Sequence, residues 1–389
     1  MTNSPLPLTT SQRLLSLDIL RGITMALMII VHNLQPGKWG FLTLTAWNGL
    51  SLADLVFPSF VFVMGVSIAF AFESRLARGA TRIELSLHTL RRAGILFFLG
   101  ILLSASTLHF EHMRFYGVLQ RLAICYLAVG LFYLWDRHLW SKIAALVVIL
   151  VGYWALLRWV PVPGAGLPGR DVPFLDLHQN LVAWLDRLLM PHHLYLEPPS
   201  YNLFDPEGLL SNIPAVGTAL LGLLAGFWLR SRRTLSAKVR GLAAATTACL
   251  AVGYLWSKWF PLNKHLWTSS FALAAAGWSL LGLTLVYWAV EQKKWGKDWG
   301  KGWVQPWLVF GSNSIVAYMF AEFLGKASGR FSFSSAGQRT SASEWLFANV
   351  FSKLLSNPGW ASFAYSVSFL AVCFVPVWFL YRKKVFVKI

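Results

Sequence analysis

The sequence predicts an all-α fold, a polytopic integral membrane bundle of about ten transmembrane helices with both termini cytoplasmic. Three observations predict it. Apolar residues make up 56% and charged residues 13% of the 389 positions, against roughly 45–50% and about 25% in a soluble domain. Mean hydropathy is +0.54. The apolar residues gather in blocks of about 17–24, each long enough to cross a hydrocarbon core of roughly 30 Å as a helix. Disorder, collagen and a coiled coil are excluded, and the composition argues against an ordinary soluble enzyme.

The spans are read at about 17–34, 52–73, 93–108, 115–135, 142–160, 209–229, 241–260, 267–290, 304–324 and 360–381. The first has no small-residue cleavage site and reads as a span, not a signal peptide. Every second connection is basic: Arg75, Arg78, Arg82, Arg91 and Arg92, then Arg137 and Lys142, then Arg230, Arg232, Arg233, Lys238 and Arg240, then Lys293, Lys294, Lys297 and Lys301, then Arg382 to Lys388. The positive-inside rule places these connections and both termini in the cytoplasm. The net charge of +18 is therefore topological, and no nucleic-acid partner is expected. The 20 tryptophans fit interfacial belts. Cys125, Cys249 and Cys373 lie inside apolar blocks, without the spacing of a disulfide framework or metal site.

The opposite side holds two long segments: 161–208, with an amphipathic helix over Asp176–Met190, and the Ser-rich 325–358. No internal repeat is visible, and residues 1–389 read as one membrane domain. The stretch from Gly217 to Gly226 suits close helix packing within a protomer or between copies, so a homo-oligomer stays open.

Ionisable groups inside spans are costly, so their positions are informative. Asp18 and Arg21 are three apart and share a helix face near the cytoplasmic end. Arg21 and His32 point to nearly the same side, roughly 16 Å apart along the axis. The outer ends of other spans carry Asn48 and Asp54, Gln120 and Arg121, Asp205 and Glu207, and Asn263, Lys264 and His265. Asn313 and Ser314 fall near the middle of the ninth span. These residues converge on a site open to the non-cytoplasmic side, with a polar trail from Arg21 toward the cytoplasm. Each has a structural alternative. Arg121 can bridge helices, Asp18–Arg21 can be a buried ion pair, Asp54 reads as an N-cap, and Asp205–Glu207 reads as an N-cap with Pro206 at the first helical position.

Six strings then occur in order: LLSLDILRGITMALMIIVHN, WNGLSLADLVFPSFVFVMGVSIAF, GVLQRLAICY, FDPEGLLSNIPAVGTALLGLLAG, PLNKHLWTSSFAL and GSNSIVAYM. Over about residues 13–381 the chain resembles the heparan-α-glucosaminide N-acetyltransferase family and its bacterial relatives. The resemblance implies a membrane acetyltransferase that uses cytosolic acetyl-CoA to acetylate a terminal glucosamine amine across the bilayer; no cluster of metal-ligating residues is visible in the sequence, and no metal is expected. For a bacterial relative it implies the inner membrane. In the family a histidine normally lies four residues before the Asn of Trp-Asn-Gly; here Leu44 stands there. Arg21 and His32 resemble the Arg-x10-His pattern of the wider membrane acyltransferases, which makes His32 the candidate base. Asp54 or Arg121 would then orient or neutralise it, and Asn48, Asn263, Lys264 or Asn313 would supply oxyanion donors or acceptor contacts. Asp205 and Glu207 would bind the acceptor. Asp18 and Arg21, with the arginines near 75–92, would face the donor's phosphates. A permease, an O-acyltransferase acting on an envelope glycan and an inactive relative remain open, as does direct transfer against an acetyl-histidine.

Overall fold

The computed structural model describes residues 14–106, 111, 113–196, 200–295, 302–335 and 338–387. Helices α1 (Leu15–His32), α2 (Leu52–Leu76), α3 (Arg82–Ala105), α4 (Val118–Trp135) and α5 (Leu139–Trp159) are followed by the short α6 (Leu181–Leu189). Then come α7 (Asn212–Arg230), α8 (Leu235–Trp256) and α9 (Ser269–Tyr287), the last prolonged by a π turn over Trp288–Gln292. Helices α10 (Gln305–Ser312) and α11 (Ser314–Arg330) form a pair bent by 83°. A hairpin of β1 (Ser332–Ser335) and β2 (Gln338–Ser341) leads to the short α12 (Ala342–Leu346) and α13 (Ser352–Leu354), then α14 (Pro358–Arg382). Among the described residues nine helices are long and apolar enough to cross a membrane, and ten if the bent pair counts as one. The protein is an all-α polytopic membrane bundle with one small hairpin.

Burial ranks the helices. The apolar windows of α1 and α7 are 67% buried and those of α2 and α9 61%, against 17% for α5 and α8. The first four form the centre, and α5 and α8 lie at the outside of the bundle. Small residues bring the central helices together. A Cβ on Gly65 would fall on the Ala219 carbonyl, and one on Gly222 on the Phe62 carbonyl, so α2 and α7 touch backbone to backbone. Gly65→Leu is therefore expected to destabilise the bundle by about 1–3 kcal/mol. A thermal midpoint in detergent equal to the parent's would show that the two helices do not meet there.

Several boundaries differ from expectation, each for a local reason. Ser51, not Asp54, is the N-cap of α2, and Asp54 is the third-position partner of a capping box. A second capping box, Thr81 with Glu84, starts α3 at Arg82, well before the predicted 93. Arg82, Arg91 and Arg92 thus lie on a helix, not in a loop. Helix α4 begins at Val118, which puts Gln120 and Arg121 in its first turn. Helix α7 begins at Asn212, so Asp205–Glu207 is a turn outside it and Pro206 does not open a helix. Asn180 caps α6 by accepting from Ala183 N at 2.9 Å, so α6 starts after the predicted Asp176. The ninth span is not continuous: it breaks at Asn313, and α11 runs on to Arg330.

Candidate active site

The helix order brings the connections after α1, α3, α5, α8 and α11 to one end of the bundle, opposite the basic turns. Three segments dock there. Asn263 folds its own segment by accepting from Leu266 N at 2.8 Å, while its N–H donates to Thr268 Oγ1 at 3.1 Å. Its side-chain amide donates to Asn48 Oδ1 at 3.1 Å, and Gly49 N donates to the Leu262 carbonyl at 2.8 Å. Gly49 has φ +132°, which favours glycine. Trp47 Nε1 reaches the Leu175 carbonyl at 2.9 Å, which ties in the 161–208 segment.

Asp54 lies beneath these segments, fully buried. Its Oδ2 accepts from Thr45 N and Oγ1 at 3.2 and 3.0 Å and from Ser51 N and Oγ at 3.0 and 2.9 Å. Its Oδ1 has no hydrogen bond and lies 3.6 Å from Lys264 Nζ. His265, 7% exposed, stacks on Trp47 and meets Phe204 edge-on. Its Nε2 lies 3.3 Å from the Thr45 carbonyl, and its Nδ1 has no partner. Burial holds the His265 and Lys264 pKa values below their ordinary range. Leu44, one residue before Thr45, is 43% exposed. The imidazole brought to this stretch is therefore that of His265.

The second half of the site centres on Arg114, which the sequence reading missed. Its guanidinium binds Asp205 through Nε–Oδ2 at 2.7 Å and Nη2–Oδ1 at 2.5 Å, and also donates to Glu207 Oε2. Its other face covers Tyr195. Burial works against the Glu207 carboxylate, but the charges of Arg114, Arg121 and Lys264 outweigh it and hold its pKa below the usual value. Glu207 thus links the two halves. Arg121, wholly buried, donates to Ser211 Oγ and to Asn212 Oδ1 at 3.3 Å and lies over the Trp267 ring at 4.7 Å. Its Nη1 has no partner.

Asp186 of α6 fixes the turn that carries these carboxylates. Its oxygens accept from Asp205 N at 3.0 Å and Leu209 N at 3.3 Å, and a Cβ on Gly208 would strike them. Burial pushes the Asp186 pKa up to about 7, with the charge of Asp205 adding to it. The folded state therefore holds a proton that the unfolded state releases near its ordinary 3.8. This group's contribution to stability falls as pH rises from about 4 to about 7. Asp186→Asn is expected to remove that slope. Parallel melting-temperature profiles for parent and variant over this window would refute the assignment.

His32, at the end of α1, is paired with Glu322 of α11, Nδ1 to Oε1 at 3.3 Å, and its side chain is 40% exposed. The expected His32–Asp54 partnership is not formed, because Asp54 is held by its capping box, Thr45 and Lys264. Tyr318 and Glu322, one turn apart on α11, lie within electrostatic reach of Arg114. His32 thereby joins the same site through a residue the sequence reading overlooked. An acidic residue near the end of an apolar span was the available signal.

Asn313 does not join it. Its side chain donates to the Val385 carbonyl at 3.1 Å and accepts from Val387 N at 2.9 Å, clamping the segment after α14 at the basic end. The break in the span carries it there. Arg21 binds Asp18 at 3.1 Å, Ser67 Oγ at 2.8 Å and the Gly311 carbonyl at 3.4 Å, so the predicted ion pair is present. On the basic side of the bundle, Arg75, Arg91 and Arg92 gather around His88. Among the described residues no group of three or more His, Cys, Asp or Glu is placed to hold a metal.

This chain matches known proteins over most of the residues just described. The family model described as heparan-alpha-glucosaminide N-acetyltransferase, catalytic, matches residues 13–256. The human heparan-alpha-glucosaminide N-acetyltransferase is 30% identical over 329 residues, which cover 72% of this chain and 49% of the human protein. The mouse protein of the same name is 28% identical over 331 residues, 73% of this chain and 50% of its own. The chain thus spans about half the length of the curated relatives it matches. With its helices, buried ion clusters and six ordered strings in common view, the chain belongs to the heparan-alpha-glucosaminide N-acetyltransferase family.

Proposed function

We propose that the chain is a single-domain membrane N-acetyltransferase that moves the acetyl group of cytosolic acetyl-CoA to the amine of a glucosamine-type sugar on the far side of a bacterial inner membrane. The observation that carries this reading is His32 held through Nδ1 by Glu322, beside the buried Arg114–Asp205–Glu207 cluster. A carboxylate at Nδ1 fixes the tautomer in which Nδ1–H donates to Glu322 and Nε2 accepts a proton. The acceptor amine attacks the thioester carbonyl carbon, the carbon–sulfur bond breaks and the thiol of CoA leaves. The proton shed by the amine passes to His32 Nε2. Imidazole suits this because it titrates near neutrality.

Negative charge develops on the carbonyl oxygen, and Lys264 or the amides of Asn48 and Asn263 are the donors assigned to it in this reading. Asp205 and Glu207 face the sugar's hydroxyls. Arg21, with its charge partly balanced by Asp18, and the arginines around His88 fit the donor's phosphates, since a guanidinium presents a planar fork to phosphate. The bent α10–α11 pair favours a second reading, a permease with a midplane site.

Acetyl-CoA and glucosamine given to the purified protein decide between them. The transferase releases free thiol and N-acetyl product in equal amounts, and Arg21→Ala raises the KM for acetyl-CoA about 10-fold. A permease does neither.

A further inference from the structure

Helices α5 and α8, at the outside of the bundle, both flank α9. Ser269 Oγ of α9 donates to the Leu150 carbonyl of α5 at 2.6 Å, and a Cβ on Gly253 of α8 would fall 2.7 Å from Ala274 N. The two helices hold 21 and 22 residues, about 32 Å of helix each, which matches a hydrocarbon core of roughly 30 Å. Their C-terminal ends, opposite the basic turns, therefore lie at headgroup depth.

An open cavity of about 770 Å³ lies between those ends, within the size range of ligand sites. Its walls are Trp154 and Arg158 of α5, Trp256 and Trp259 at and just beyond the end of α8, and Gly169 and Phe174 of the connection that follows α5. Arg158 is the one charged side chain among these walls. It is half-buried, donates to the Pro168 carbonyl and lies over the Phe174 ring at 5.6 Å. A Cβ on Gly169 would fall 2.6 Å from its Nη1, so the glycine turn closes directly over the guanidinium. Among the described residues no carboxylate is paired with it. Asp171, two residues past Gly169, pairs with Arg170, and Asp176 accepts from His178 N and Gln179 N at 2.8 and 2.7 Å. Lys258, exposed and between Trp256 and Trp259 in the chain, adds a second positive charge at this end.

A cation seated among aromatic rings without a counter-ion is costly, and an anion brought to it lowers that cost. A guanidinium also presents a planar fork of donors to phosphate. Tryptophan suits a ligand that is apolar at one end and wet at the other, which is why it gathers at membrane interfaces. We propose that this cavity seats the phosphate headgroup of an anionic phospholipid from the leaflet at the acceptor end, with its acyl chains left in the bilayer beside α5 and α8. Basic pockets between transmembrane helices take anionic headgroups in this way. The connection that the headgroup touches is tied to the candidate active site, since Leu175, next to Phe174, accepts from Trp47 Nε1 at 2.9 Å. The bound lipid thereby braces that connection against the bundle. The proposal stands apart from the acetyltransferase reading and holds whether or not the chain transfers an acetyl group.

The test adds phosphatidylglycerol, phosphatidylcholine or glycerol 3-phosphate to the purified full chain in a neutral detergent and reads the thermal midpoint. Phosphatidylglycerol is expected to raise it by at least about 2 °C more than phosphatidylcholine, and glycerol 3-phosphate to leave it unchanged. Phosphatidylglycerol also meets the basic turns at the other end, so Arg158→Gln locates the effect. This variant is expected to lose at least about half of the difference between the two lipids, whatever its own midpoint. Arg158→Lys should keep part of the difference, since the charge remains and the fork is lost. Trp259→Ala, at a side chain 61% exposed, should shrink the difference with the fold intact. Equal shifts from the two lipids in the parent, or an undiminished difference in both Arg158→Gln and Trp259→Ala, overturn the proposal. A shift from glycerol 3-phosphate as large as that from the lipid would make the ligand a free phosphate and overturn its source in the bilayer.

Discussion

Replacing His32 by alanine is expected to lower kcat about 10²-fold or more while KM for either substrate changes little. The reason is geometric. His32 is 40% exposed in its side chain, so an acceptor can reach it, and Glu322 at 3.3 Å holds the ring by one nitrogen. Alanine removes the proton acceptor and leaves the Arg114–Asp205–Glu207 cluster in place, so acceptor binding persists. Glu322→Gln keeps a hydrogen-bond acceptor but loses the charge, and a smaller fall, about 10-fold, is expected. Added imidazole should restore part of the rate to His32→Ala and none to Glu322→Gln. An unchanged kcat in His32→Ala would remove this residue from the chemistry. It would leave His265, with its unpartnered Nδ1, as the imidazole to test.

The second large effect concerns Arg114. Removing it strands Asp205 and Glu207, both buried, without the cation that holds them together. Breaking a buried pair by deleting one partner costs about 3–5 kcal/mol, because the charge left behind stays desolvated. Arg114→Ala is therefore expected to lower the thermal midpoint sharply at neutral pH and to raise the KM for the acceptor. Arg114→Lys keeps the charge but loses the fork that reaches both carboxylates, and is expected to fall in between.

Burial pushes the Asp205 pKa up in spite of Arg114, so the sign of the pH dependence expected of the cluster's ion pairing follows from Glu207. Its folded pKa lies below the ordinary 4.5, so its paired form stabilises the protein above that value. The contribution is lost as pH falls through the folded pKa. The gap between parent and Arg114→Ala should thus be widest near pH 7 and close on acidification below about 4.5. A gap of the same size at both ends of this range would mean that packing, not charge, accounts for the loss.

Some of this was legible in the sequence. Span number and alternation were, because hydrophobic length and basic flanks are local properties that a helix cannot hide. The Asp18–Arg21 pair was, because three residues on one helix fix the distance. So was the gathering of Asn48, Asp54, Arg121, Asp205, Glu207, Asn263 and Lys264 at one end, because alternating spans place every second connection together.

The tertiary structure decided which of these residues meet. Glu322 is 290 positions from His32, and Asp205 is 91 from Arg114. Nothing in an apolar helix face states which neighbour it will pack against. Asn313 left the predicted cluster because its span breaks there and the bend sets it against the segment after α14. Asp54 took Ser51, Thr45 and Lys264 as partners instead of His32. Length and polarity fixed the crossings from the chain alone; close packing of glycine-bearing helices, which no local pattern encodes, chose the partners of each buried charge.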